Sequence, residues 1–121
     1  MADNFIQPGK VVQYTNAGSA IAAGSVVKMG NILGVALVDI ANAATGSVQI
    51  EGVFEVPKVT GAVIAQGESL TWDVSAGKFD DNLATPATGD VAGAAAVAFE
   101  AAGNGATTLA VKFTGVPGTV T

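Results

Sequence analysis

Apolar and polar positions alternate most regularly over residues 46–57, Gly-Ser-Val-Gln-Ile-Glu-Gly-Val-Phe-Glu-Val-Pro. A period of two puts Val48, Ile50, Phe54 and Val56 on one face, with Gly52 among them, and Gln49, Glu51 and Glu55 on the other. Val53 is the apolar exception on the outer face, and a glycine within the inner row predicts a bend or a close backbone approach. The same alternation over residues 105–117 turns Leu109, Val111 and Phe113 inward and Thr108 and Lys112 outward. Both runs close on Val-Pro, and Pro57 and Pro117 should end their ladders because proline has no N–H to donate. Further strands are expected at Val11–Thr15, Val26–Met29, Leu33–Ile40, Ser69–Val74 and Val91–Glu100. Lys78-Phe79 should return from a hairpin turn at Ser75-Ala76-Gly77, and Asn104-Gly105 is a hairpin dipeptide before the last long strand. Alanine-rich Val91–Ala102 competes as a helix. Its alignment with Val35–Ala44 and its approach to a second hairpin favour strand.

A second pattern overlies the first. Ala20-Ile-Ala-Ala-Gly-Ser-Val-Val27 is echoed by Val63-Ile-Ala-Gln-Gly-Glu-Ser-Leu70, and each copy precedes one of the alternating runs. The 16 glycines punctuate the chain at short intervals, so the strands are short and the turns many. The expectation is an all-β fold, a small β-barrel or sandwich built from two similar β units. Residues 1–121 should form a single β domain, with 1–16 an extended N-terminal arm and first strand and 17–121 the β core. Asn4-Phe5-Ile6-Gln7-Pro8-Gly9 is too short and broken for a regular element, since Pro8 forces Gln7 to be extended. Phe5 and Ile6 on this otherwise polar arm point to docking, on its own domain or on a neighbouring subunit.

Only 12% of the residues are charged, against roughly 25% in ordinary soluble domains, while 50% are hydrophobic. Either small residues make up much of the surface or other chains cover part of it. The net charge is −5, and the five lysines at 10, 28, 58, 78 and 112 are never adjacent. Such a chain cannot neutralise a run of phosphates, so neither nucleic acid nor an anionic membrane is an expected partner. No uncharged apolar stretch approaches the ~18 residues of a membrane span, and the acidic start is not that of a secretory signal. Synthesis in the cytoplasm is the simplest expectation.

Candidate chemistry is sparse. With no histidine, imidazole-based triads are excluded; with no cysteine, so are thiolate nucleophiles, thiolate zinc sites and disulfides. Ser19, Ser25, Ser47, Ser69 and Ser75 lie in no nucleophile motif, and no phosphate-binding or dinucleotide fingerprint is present. Glu51 and Glu55 share a strand face at roughly 13 Å, beyond the 5–9.5 Å of glycosidase carboxylates. Asp73 and Asp80-Asp81-Asn82 form the acidic cluster; they lack the order of a calcium loop and suit polar turns. No metal, cofactor or catalytic residue is expected. Trp72 is a possible surface anchor for a glycan, with burial in the core as the alternative.

Taken in order, Asn4-Phe-Ile-Gln-Pro-Gly9, Gly24-Ser-Val-Val, Leu33-Gly-Val-Ala36, Gly52-Val-Phe-Glu-Val-Pro-Lys58 and Gly67-Glu-Ser-Leu-Thr-Trp-Asp73 resemble the capsid cement, or head decoration, proteins of tailed bacteriophages. The likeness runs from about residue 4 to residue 113. It implies a β-tulip-like β-rich fold and no enzymatic activity. It also implies a structural virion protein on the outer surface of the expanded head, cementing neighbouring major capsid subunits against internal DNA pressure, as a homotrimer. In that setting Asn4, Phe5, Ile6, Gln7 and Pro8 would form the interface to the capsid or to a sister subunit. The alternative is a glycan-binding adhesion module on a virion, acting through Trp72; a hydrolase using Asp80 or Asp81 is a third.

Overall fold

The computed structural model describes residues 7 and 9–121, and all the regular structure among them is strand. In chain order these are β1 (Val11–Thr15), β2 (Val26–Met29), β3 (Ile32–Ala36), β4 (Thr45–Gln49), β5 (Glu51–Pro57), β6 (Thr71–Asp73), β7 (Lys78–Asp80), β8 (Val91–Ala92), β9 (Ala96–Ala98), β10 (Thr108–Thr114) and β11 (Thr119–Val120). They form three antiparallel sheets with spatial orders β1-β4-β3-β2, β5-β10-β9 and β11-β8-β6-β7. The architecture is all-β and curled into half-barrels, consistent with a small barrel or sandwich.

The expected faces are present. Val48, Val56, Leu109, Val111 and Phe113 are buried, and Val53, Glu55, Thr108 and Lys112 are exposed. The boundaries of the long strands differ from expectation. Residues 46–57 do not remain one strand in one sheet: β4 pairs with β1 and β3, and β5 pairs with β10. The change occurs at Ile50, whose N–H donates to the Lys10 carbonyl at 2.8 Å, and Gly52 follows with φ +139°. The bend expected from this glycine is therefore a transfer between sheets, through a backbone conformation that side-chain-bearing residues rarely adopt. Val91–Glu100 divides likewise into β8 and β9, separated by Gly93 at φ +89°. The strand expected at Leu33–Ile40 stops at Ala36: Leu37 N–H still reaches the Ser47 carbonyl at 3.0 Å, in line with the register, but beyond it Ile40 pairs with Ile21 instead. The two-residue β11 had no alternation to announce it.

The sequence echo is a structural duplication. In the first unit Ile21 and Ile40 exchange two backbone hydrogen bonds of 2.8 Å; in the second Ile64 and Ala102 do the same at 2.8 and 2.9 Å. Gly24 N–H reaches the Ala36 carbonyl at 2.8 Å, and Gly67 N–H reaches the Ala98 carbonyl at 2.9 Å. Val26 pairs with Val35, and Ser69 with Val97. The counterpart of Val35 is thus Val97, six residues beyond the position that the sequence alignment assigned it. On the same correspondence β5 takes the place of β1 and β10 that of β4, since Val11 pairs with Gln49 as Val53 pairs with Lys112.

Two hydrophobic clusters follow from this plan. Val27, Ala36, Ile40, Val48 and Ile50 fill the first unit, with Val12, Tyr14 and Ile21 packed against them. Leu70, Ala98, Val111 and Phe113 occupy the matching places of the second, beside Ile64 and Val56. Phe54, Phe113, Phe79 and Trp72 extend the second cluster as successive aromatic contacts, with ring centroids 6.0, 5.9 and 4.8 Å apart. Leu33 and Val35 belong to this second cluster although β3 lies in the first sheet, so β3 is buried on both faces.

Each unit also buries one polar side chain where its first strand ends. Asn16, 3% exposed, donates from Nδ2 to the Ser19 and Ile40 carbonyls at 2.8 and 3.1 Å and accepts from Gly18 N–H at 2.9 Å. Lys58, fully buried, sends Nζ to the carbonyls of Val59, Thr60 and Ala106 at 2.8, 3.3 and 3.3 Å. An ammonium has three N–H donors, and three acceptors meet it here. The pairing of the two positions is visible in the backbone as well: Asn16 N–H donates to Ala44 O at 2.9 Å and Lys58 N–H to Thr107 O at 2.8 Å.

Two stability predictions arise here. Lys58→Met keeps the side-chain length but removes the donor to three part-buried carbonyls from a buried position, and should lower the unfolding free energy by about 3 kcal/mol. An unchanged denaturation midpoint would rule out the bonding role assigned to Nζ. Ala43 has φ +65°, whereas its counterpart Gly105 has φ +96°. Ala43→Gly should stabilise by about 0.5 kcal/mol, relief of the left-handed strain exceeding the added entropy of the unfolded chain; thermal unfolding of the variant checks the sign.

Candidate functional site

The expected arm residues Asn4, Phe5, Ile6 and Pro8 lie outside the described residues. Gln7 is described: it is exposed, and its side-chain amide donates to the Val11 carbonyl at the start of β1. Just before β1, the Lys10 carbonyl receives the Ile50 N–H at the junction of β4 and β5. A cleft of about 480 Å³ opens at this junction, lined by Lys10, Gln49, Glu51, Gly52, Lys112, Phe113 and Thr114. Gln49 Nε2 is spent on the Glu51 carbonyl at 2.7 Å, which braces the wall. The one hydroxyl of the lining, that of Thr114, is taken up by the Ala94 and Ala95 carbonyls at 2.5 and 3.2 Å.

Of the two places that the sequence leaves open for Trp72, the structure shows the core. The side chain is 7% exposed, packs on Phe79 and belongs to the main hydrophobic cluster. It reaches one wall of a second cleft of about 400 Å³, whose other walls are Ala23, Gly24, Ser25, Val26, Pro57 and Gly77. A sugar-stacking platform needs an aromatic face in solvent, and this one is covered by the protein itself.

The acidic cluster is dispersed into turns. Asp73 Oδ1 accepts from the Ser75 hydroxyl at 2.7 Å and from the N–H groups of Ser75 and Ala76 at 3.0 and 3.1 Å. Asp80 accepts from Asp81 N–H at 2.8 Å, Asp81 from Leu83 N–H at 3.0 Å, and Asn82 N–H donates to Glu68 Oε2 at 2.9 Å. Among the described residues no three acidic side chains are grouped as a metal would need. Glu51 and Glu55 point the same way along β5, and Glu55 accepts from the Thr108 hydroxyl at 2.8 Å.

What the surface does offer is isolated bulky apolar side chains: Leu37, Val38, Val53, Val63, Val74, Leu83, Phe99 and Val116 are exposed. Leu37 and Phe99 stand at equivalent points of the two units. Leu37 N–H bonds Ser47 O, and Phe99 N–H bonds Ala110 O, both at 3.0 Å. Reading residues 33–40 and 91–100 as continuous strands concealed them. No alternation marked them, because the run from Leu33 to Val38 is apolar on both faces and β3 itself is buried on both.

A family model described as phage cement protein matches residues 6–113, nearly the whole chain. The chain belongs to that family. No curated protein matches it. Membership carries a structural, capsid-stabilising role, association with capsid proteins and a place in the virion capsid.

The turn role of Asp73 has a pH signature. The Ser75 hydroxyl first, and then the backbone N–H groups, favour the carboxylate and hold its pKa below the ordinary 3.8, against a smaller opposing effect of burial. A lowered folded pKa gives stability that is present at neutral pH and lost as pH falls through it. Asp73→Ala should therefore be less stable than the parent at pH 7, with the difference shrinking as the pH drops below 3.8. Urea denaturation at pH 7, 4 and 3 measures the gap, and a gap that does not change with pH would contradict the assignment.

Proposed function

We propose that this phage cement protein binds the outside of the expanded head and bridges neighbouring major capsid subunits as a homotrimer, holding the shell against the pressure of packaged DNA. The observation that carries the reading is the family match over residues 6–113. The molecule's chemistry supports it. Its carboxylates cap turns, its polar core groups serve the backbone, and its surface combines few charges with exposed Leu, Val and Phe side chains. Such a surface gains free energy when a neighbour covers it. Its net charge of −5 keeps it off packaged nucleic acid and suits an outer position.

In this proposal residues 4–8 reach from the cleft at Lys10 to an adjoining subunit, with Phe5 and Ile6 as apolar anchors and Asn4, Gln7 and Pro8 shaping the extended path. Each copy adds stability only when docked, because a ligand that binds the intact shell alone shifts its disassembly equilibrium. Many copies on a symmetric shell turn modest contacts into a large total.

Purified protein mixed with mature heads lacking it should co-sediment saturably, with weaker binding to unexpanded proheads. Failure to bind either form would defeat the proposal. Removing residues 2–8 should weaken head binding by about 10-fold or more while leaving the melting transition of the β core in place. An unaffected isotherm would remove the arm from the interface.

A further inference from the structure

The second cleft, of about 400 Å³, lies on the seam between the two units, lined by Ala23, Ser25 and Val26 of the first and by Pro57, Trp72 and Gly77 of the second. It exists because the duplication is imperfect at this point. In the echo, Ala23 and Ser25 correspond to Gln66 and Glu68. Those longer side chains are occupied: Gln66 Nε2 donates to the Phe99 carbonyl at 3.2 Å, and Glu68 accepts from the N–H groups of Ala65 and Asn82 at 3.2 and 2.9 Å. The first unit keeps only a methyl and a hydroxymethyl group there. A Cβ placed on Gly24 or Gly77 would meet no heavy atom within 4 Å, so the space beside the Trp72 and Pro57 rings is open. The lining carries no charged side chain. A recess of rings, valine and small residues takes a bulky apolar side chain, which sheds water on entering.

The chain itself supplies one. Phe5 and Ile6 stand just before Gln7, with Asp3 and Asn4 on their other side. Their place in the chain decides which copy they can serve. β1 bonds β4 through its even-numbered residues, in step with the flanking bonds Ile50 N–H to Lys10 O and Asn16 N–H to Ala44 O. The Val11 carbonyl therefore points off the open edge of the sheet, and Gln7, which donates to it, lies beyond that edge. The cleft is at the opposite edge: Val11, Gln49, Val35 and Val26 form one row across the four strands. Three strand spacings make that row about 14 Å. Two residues of extended chain reach only about 7 Å from Gln7, in whichever direction they run. Phe5 of the same chain falls short of the cleft, and Phe5 of another copy is the one able to enter it.

We propose that this cleft receives Phe5 from the N-terminal segment of a neighbouring copy, with Trp72 as the wall it packs on. This rests on the docking role given to residues 4–8 above and names their partner as a second copy of this chain. Each copy gives one segment and receives one, which is a head-to-tail contact that closes into a ring. A single contact of this kind is weak, and its repetition around the ring adds the contacts up.

Trp72 is the one tryptophan of the chain, so its emission reports on the cleft directly. The full chain carrying Phe5→Ser, which cannot fill the cleft of its neighbours, is titrated with a peptide of residues 1–9. Emission should shift saturably, with half-saturation at or below ~1 mM. The same peptide with Phe5→Ser should bind about 10-fold or more weakly. Adding Ser25→Phe to the receiving chain closes the cleft from an exposed position and should weaken the unsubstituted peptide by about 10-fold or more. Thermal melts check that this variant folds, and Ala23→Phe, also at an exposed position, replaces it if it does not. Emission that the peptide leaves unmoved, that both peptides move equally, or that closing the cleft does not affect overturns the proposal. Co-sedimentation with heads measures the cement role separately. A parent that binds heads while the peptide leaves Trp72 unmoved keeps that role and loses the contact between copies. A parent that binds no head defeats the cement role, and the peptide titration still decides the contact.

Discussion

The chain passes from its first sheet to its second with a single residue between strands. β4 ends at Gln49 and β5 begins at Glu51, so the last long strand of one unit runs directly into the first strand of the next. No loop is available to absorb an error in direction. The transfer is set by Ile50 N–H on the Lys10 carbonyl and by the left-handed opening of the backbone at Gly52. Everything downstream inherits this geometry. It brings β10 alongside β5, leaves the back of β3 free to send Leu33 and Val35 into the second cluster, and opens the cleft lined by Lys10, Glu51 and Lys112. Two small cores of a chain with few aromatics therefore share a wall. That sharing offsets the weak burial that a short sequence rich in alanine and glycine would give each unit alone.

The duplication also explains why polar groups sit in the interior. Where the first strand of each unit ends, the chain must turn under its own sheet, and the carbonyls of that turn lose water. A side chain with several donors satisfies them. Asn16 does this with an amide in the first unit and Lys58 with an ammonium in the second. The loop in the second unit is one residue longer before the echo resumes at Ile64, and a longer side chain is what reaches across it. The same place in two frames thus has one physical requirement and two chemical answers. Buried polar bonding of this kind fixes one arrangement among several that apolar packing alone would tolerate.

Much of the fold was legible because alternation is a direct readout of which face is wet. β1 and β2 lie where the pattern put them, and the inward rows of β4, β5 and β10 are the apolar ones. The duplication could be read from Ile-Ala-x-Gly in both copies, and the acidic turns from their Asp and Asn content. What alternation cannot carry is which sheet a strand joins. Residues 46–57 keep one period of two through the transfer at Ile50, since the pleat continues even as the partners change. Residues 91–100 offered alanines that suit either face, so nothing marked the division into β8 and β9 beyond Gly93. Trp72 was ambiguous for a related reason: an aromatic in a three-residue strand can face either way until its neighbours are known, and Phe79, itself packed on Phe113, proved to be that neighbour. The functional surface was the least legible part, because exposed apolar residues read as core until a tertiary structure leaves them outside.

A structural role that depends on docking also accounts for how this molecule distributes its stability. The side chains that could do chemistry are committed to holding backbone: carboxylates to turn N–H groups, the buried lysine to carbonyls, the buried asparagine to both. Bulky apolar side chains such as Leu37, Phe99 and Leu83 are left exposed, and the segments of Leu37 and Phe99 are each tethered by one hydrogen bond to a neighbouring turn. Rigidity is useful here because a brace transmits load only if it does not deform before the joint it spans. Two β units joined by a single residue, with β3 packed into both hydrophobic clusters, resist bending against each other, and that stiffness suits a structural protein of the capsid.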